Sequence, residues 1–141
     1  MSPSGLHIRV GTADVCAAVI DLWADSGAAS TVTDLVAALL RLLETDDQAL
    51  LVAELDGAMA GSVIAGWNGW RGSIYRLAVR PEQRRRGVAT ALVLAAEQRL
   101  LERGALRIDA IVDDKDAGAA QFWTAVGYRR QQDRGRFVRN L

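Results

Sequence analysis

The sequence predicts an α/β protein, a mixed sheet flanked by helices, and three observations carry that reading. Apolar residues recur at helical spacing near both ends of the chain and take on strand character in the middle. The strand-like stretches around Asp56-Gly57 and "NGWRG" are joined by turns so short that the strands are antiparallel neighbours. One strand–helix–strand crossover, from Tyr75 to Val112, then returns the chain to the sheet parallel to the strand it left.

Taken in order, "GLHIRV" alternates and reads as the first strand. Thr12 reads as a helix N-cap with Asp14 in the first turn, followed by Val15, Val19, Leu22 and Trp23 on one face and Gly27 as the stop. A second helix is predicted over 33–44, with Leu35, Leu39, Leu42 and Leu43 on one side. "ALLVAEL", "AMAGSVIAGW" and "GSIYRLAV" are strands two to four, and Pro81 ends the last of them. Val88, Leu92, Ala96 and Leu100 mark a helix from Gly87 to Arg103, with Gly104 beyond its end. "LRIDAIV" is a fifth strand, "DAGAAQFWTAV" a short helix closed by Gly127, and "YRRQQDRGRFVRNL" a terminal hairpin. The prediction is one domain over 1–141. Its sheet is mostly antiparallel, has six to seven strands, and pairs strands four and five in parallel.

Composition removes several functions. Seventeen basic residues balance seventeen acidic ones, which disfavours a nucleic-acid partner, since such proteins carry a basic excess. Cys16 and His7 are the only cysteine and histidine, so neither a disulfide nor a Cys/His metal site is expected. "MSPSGLHIRV" has no signal-peptide pattern, and no apolar run reaches the ~20 residues of a membrane span. A cytoplasmic protein with no membrane partner is expected, as monomer or homodimer. Cys16 has no partner base and reads as core packing.

"RPEQRRRGVATAL" carries the chemistry. A turn entering a helix exposes several N–H groups at one point, and the helix dipole reinforces them. Gly87 leaves room for an anion, Ala89 is small, and Arg84, Arg85 and Arg86 add charge at the rim. Convergent donors suit a pyrophosphate better than an extended strand. Neither the P-loop nor the G-x-G-x-x-G pattern is present. The alternative is a solvated basic helix start.

That stretch resembles motif A of the GNAT N-acetyltransferases, Arg/Gln-x-x-Gly-x-Gly/Ala, with Arg84, Gly87 and Ala89 in its defined positions. A second family pattern, Asn-x-x-Ala-x-x-Phe-Tyr-x-x-x-Gly-Phe, is matched by Asp116, Ala119, Phe122, Trp123, Gly127 and Tyr128. The order of elements resembles the family along the whole chain, and "GWNGWRGSIYRLAV" is similar to its small bacterial YpeA-like and RimI-like branch.

The resemblance implies acetyl-CoA as co-substrate and an amine acceptor, small molecule or protein. Backbone N–H groups of Arg84, Arg85, Arg86, Gly87, Val88, Ala89 and Thr90 would hold the pyrophosphate. Leu77 and Val79 would pair with the pantetheine arm, and an N–H near Leu77 or Ala78 would face the thioester carbonyl. Asp116 stands where the family usually has Asn, and would cap its helix beside the arm. Attack by a neutral amine would be direct, with no covalent enzyme intermediate. The family's acid and base positions hold other residues: Trp123 replaces the usual Tyr, Ile111 a Glu of the fifth strand, Ser73 a Glu of the fourth. Asp109, acting through water, and Tyr75 are the replacement base and acid; the alternatives are an Asp109 ion pair and a packed Tyr75. Trp70, in a loop, is the candidate acceptor contact, while Trp23 and Trp67 read as packing. The alternative function is a non-catalytic acyl-CoA sensor.

Overall fold

The computed structural model describes residues 5–27 and 29–141. They fall into two compact units, Met1–Ala110 and Ile111–Leu141. In the first, β1 (Leu6–Val10) precedes α1 (Cys16–Asp25) and α2 (Val36–Thr45); β2 (Leu50–Leu55), β3 (Ala58–Trp67) and β4 (Gly72–Val79) follow, then α3 (Val88–Glu102) and β5 (Ile108–Ala110). The sheet runs β1-β2-β3-β4-β5. Its first three pairings are antiparallel and β4–β5 is parallel.

The β2–β3 turn places Asp56 at φ 53° and Gly57 at φ 84°, the left-handed pair that a two-residue hairpin with native twist requires. Side chains alternate across β3, so the adjacent Gly61 and Ser62 report on opposite faces. Ser62 accepts a 3.0 Å hydrogen bond from the buried Trp23 indole of α1. A Cβ on Gly61 would meet the Ala78 carbonyl at 2.7 Å and the α3 side chains Val88 and Leu92 at 3.1 Å. Thus α1 and α2 cover one face and α3 the other. Cys16, Val19, Leu22, Trp23, Leu39, Leu50, Val52 and Ala78 form the α1/α2 core. Burial pushes the Cys16 thiol above its ordinary pKa, in keeping with a packing role.

Arg99 of α3 ties three elements together. It donates to the Ala65 carbonyl of β3 and pairs with Asp46, just after α2.

Three elements depart from expectation. Thr12 does not cap a helix through its side chain: its hydroxyl donates to Asp14, a 3₁₀ turn occupies Ala13–Val15, and the α-helix starts at Cys16. Helix α2 starts at Val36 rather than Thr33, because Asp34 accepts from the N–H and hydroxyl of Thr31 in a local turn. The described residues form five strands, not six or seven. Residues 129–141 contain no strand. Phe137 and Val138 are adjacent rather than alternating, so they cannot share one strand face, and both are exposed.

In the second unit α4 (Ala117–Ala125) follows an N-cap at Asp116, whose carboxylate accepts from Ala119 N–H at 2.9 Å. No helix among the described residues is long and apolar enough to cross a membrane.

Candidate active site

Between β4 and α3 the chain makes a 3₁₀ turn at Pro81–Gln83 and then a loop whose backbone enters the left-handed region twice. Arg85 sits at φ 64° and Gly87 at φ 79°. Arg84 N–H is spent on the Pro81 carbonyl, and the next backbone hydrogen bond runs from Ala91 N–H to Gly87. The six intervening N–H groups, Arg85 to Thr90, have no backbone or side-chain acceptor among the described residues. Successive amides alternating in hand form a concave nest for anions, here merged with a helix N-terminus. This arrangement can bind a multiply charged phosphate group.

The arginines divide by partner. Arg84 donates to the Ser26 carbonyl at the end of α1. Arg86 donates to Gln83 at 2.9 Å and lies 3.8 Å from the Asp56 carboxylate. Arg85, exposed, has neither hydrogen bond nor ion pair through its side chain among the described residues. Of the three side chains, it alone is uncommitted.

Strand β4 supplies the neighbouring wall. Ser62 pairs with Ala78 and Ile64 with Tyr75, so Val63 faces both Arg76 and Leu77. This is a β-bulge, which leaves one residue outside the ladder and sharpens the local twist. Arg76 holds it in a left-handed conformation, φ 52°. On its other side β4 pairs with β5 only from Gly72 to Ile74. No strand among the described residues covers the edge from Tyr75 to Val79, which includes Leu77, Ala78 and Val79.

Ser73 lies opposite Asp109, and the period of two puts Tyr75 on the same face as Ser73. Tyr75 is 45% exposed, and its ring lies where a Cβ on Gly66 would be, 2.9 Å from that position. Asp109 is exposed and makes no ion pair among the described residues. Trp70 is 70% exposed at the β3–β4 turn, with the Arg71 guanidinium 4.1 Å from its ring centroid. The Asn68 side chain fixes this tip, accepting from Trp70 and Arg71 N–H at 2.9 and 2.7 Å. Trp67 is half-buried on β3.

In the second unit, Trp123 packs edge-on against Phe122 and Tyr128, with centroids 5.4 and 4.8 Å away. Ile111 is exposed there.

Sequence reasoning missed Arg76. The visible signal was a lone charge inside the apolar strand "SIYRLAV"; its interpretation needed the partner strand, which defines the bulge.

The sheet and this loop set a run of amides without protein acceptors beside a strand edge that no strand among the described residues covers. The chain belongs to the acetyltransferase (GNAT) family, whose profile matches residues 17–128. It is 39% identical over 113 residues to an acetyltransferase of Pectobacterium atrosepticum, covering 79% of this chain and 80% of that one. Its fold matches the crystal structure of Ard1 from Thermoplasma volcanium (TM-score 0.78, 21% identity, 87% of this chain and 82% of that one). It also matches PaiA N-acetyltransferase from Thermoplasma acidophilum, solved in complex with coenzyme A (TM-score 0.79, 17% identity, 92% and 93%).

Proposed function

We propose that the chain works as one domain that moves an acetyl group from acetyl-CoA to a primary amine, within the YpeA-like and RimI-like branch and in the cytoplasm. The carrying observation is the run of six acceptor-free N–H groups from Arg85 to Thr90. Coenzyme A in a structure of the same fold supports that assignment.

Acetyl-CoA supplies an activated thioester; the chain's residues bind, orient and move protons. The 85–90 amides hold the pyrophosphate, with Arg85 at the rim. The open β4 edge at Leu77 and Val79 pairs with the pantetheine amides as an added strand would. The bulge at Arg76 turns the Leu77 or Ala78 N–H toward the carbonyl oxygen, where negative charge grows as the amine attacks. A C–N bond forms, the C–S bond breaks, and the electron pair leaves with sulfur. Asp109 takes the amine proton through a water, and Tyr75 supplies one to the thiolate. Trp123 and Asp116 keep cofactor-side roles by their places in the family pattern, and Trp70 faces the acceptor. The acceptor is a small amine or a protein amine; no metal and no nucleic acid take part.

Thermal shift tests the cofactor. A ligand that binds only the folded state adds about 2.7 kcal/mol at a hundredfold excess over its Kd, so acetyl-CoA should raise Tm. Gly87→Val, which places a branched Cβ at a left-handed position inside the nest, should remain folded and lose that rise. No shift in the wild type at millimolar acetyl-CoA would sink the proposal. A panel of amines assayed for CoA release then separates catalysis from sensing. The residues at 73, 111 and 123 favour the sensor reading, and binding without release on any amine would select it.

A further inference from the structure

Arg76 is the one residue of β4 in the left-handed region. For a residue other than Gly, Asn or Asp this costs roughly 1–2 kcal/mol, so something must hold it. The side chain does so through three contacts. Its guanidinium pairs with the Asp34 carboxylate at 2.5 Å, donates to the Ala29 carbonyl at 3.2 Å, and lies 5.0 Å from the Trp23 ring centroid. The pair is largely withdrawn from water, with side chains 19% and 11% exposed, and Arg76 Nε is buried without a partner.

The partners belong to the segment that joins α1 to α2. Asp34 also accepts from Thr31 N–H at 3.1 Å and Thr31 hydroxyl at 3.0 Å, closing the 31–34 turn. Trp23 is fixed from the other side by its bond to Ser62, which pairs with Ala78 across the bulge. One guanidinium thus connects the α1–α2 segment to the strand residue that precedes Leu77.

We propose that Arg76 and Asp34 are positioning residues of the acetyl-transfer site. Their pair latches residues 29–34 onto the bulge, so the loop and the Leu77 N–H are set as one unit. This rests on the reading of β4 as the cofactor edge. Neither residue touches a reacting atom; both act through the bulge backbone.

The test compares Arg76→Gly, Arg76→Ala and Arg76→Lys with Asp34→Asn, using coenzyme A itself as the probe. Glycine tolerates the left-handed backbone and alanine does not, so the pair separates backbone strain from the side-chain latch. Hydrogen exchange at 29–34 should quicken about tenfold in the glycine and alanine variants alike, as expected when one charge-assisted interaction is lost. Asp34→Asn should quicken it as well. Coenzyme A affinity by calorimetry should fall in the order wild type, Arg76→Gly, Arg76→Ala. Arg76→Lys, which keeps a charge but not the two-acceptor fork, should fall between wild type and Arg76→Gly in both readouts and guards against a misfolded variant.

Unchanged exchange at 29–34 in both the glycine and alanine variants overturns the latch. Loosened exchange with unchanged coenzyme A affinity in every variant overturns the positioning role while leaving the cofactor site standing. A wild type that binds no coenzyme A overturns both.

Discussion

Arg84, Arg85 and Arg86 are adjacent and chemically identical, yet the fold gives them three tasks. Arg84 fastens the loop to the end of α1, Arg86 is shared between Gln83 and Asp56, and Arg85 faces solvent. Arg85→Ala should therefore weaken coenzyme A several-fold and reduce the salt dependence of binding, leaving the ligand-free Tm unchanged, because a rim charge contributes through screened attraction. Arg84→Ala should do the reverse. It removes a hydrogen bond from a charged donor, a class worth about 1.5–3 kcal/mol, so ligand-free stability should fall. Calorimetry at two salt concentrations beside denaturant melts would reveal whether the division holds; equal effects from both substitutions would refute it. The family motif defines only Arg84 of the three, and the sequence could not assign their tasks, since Ser26 is 58 positions from Arg84 in the chain.

At the scale of elements, the packing of α3 depends on a missing side chain. A Cβ on Gly61 would stand 2.7 Å from the Ala78 carbonyl, a backbone atom of β4, and 3.1 Å from Val88 and Leu92. Gly61→Ala forces the helix N-terminus or the strand to move, which at overpacked sites costs about 1–3 kcal/mol. Because β4 and the start of α3 also form the proposed cofactor site, coenzyme A affinity should fall together with stability in urea melts. A variant as stable as the wild type would refute the packing constraint, and a destabilised variant with normal binding would show that the site tolerates the displacement. Locally encoded elements were legible: Asp56-Gly57 sets its own turn, and the leucine and valine spacing of 88–100 determines the buried face of α3. What escaped reading depends on distant partners. The bulge at Arg76 exists only relative to Val63, and the late start of α2 follows from a side-chain turn at Thr31–Asp34. The expected terminal hairpin does not form: Phe137 and Val138 are adjacent and exposed, so they give no common face to bury.

For the whole molecule, β5 is the element that shapes the site. It pairs with β4 through three residues, Ile108 to Ala110, and leaves the longer part of β4 without a strand on that side among the described residues. An open run of backbone donors and acceptors is also a template for any other extended chain, and proteins ordinarily guard such edges with charge, bulges or short length. Here the bulge at Arg76 guards one point, while Leu77 to Val79 must remain accessible if the pantetheine is to pair there. The substrate would then also protect the protein from self-association. Light scattering at raised concentration and temperature should show ligand-free protein aggregating sooner than protein saturated with coenzyme A. Because mass action on stability alone would act in the same direction, Val79→Lys provides the comparison: it should slow aggregation of the ligand-free form without raising its Tm. If the lysine variant aggregates as fast as the wild type, the edge is not the route. If it does slow, a cell that runs short of coenzyme A would expose this enzyme to loss by precipitation as well as to idleness.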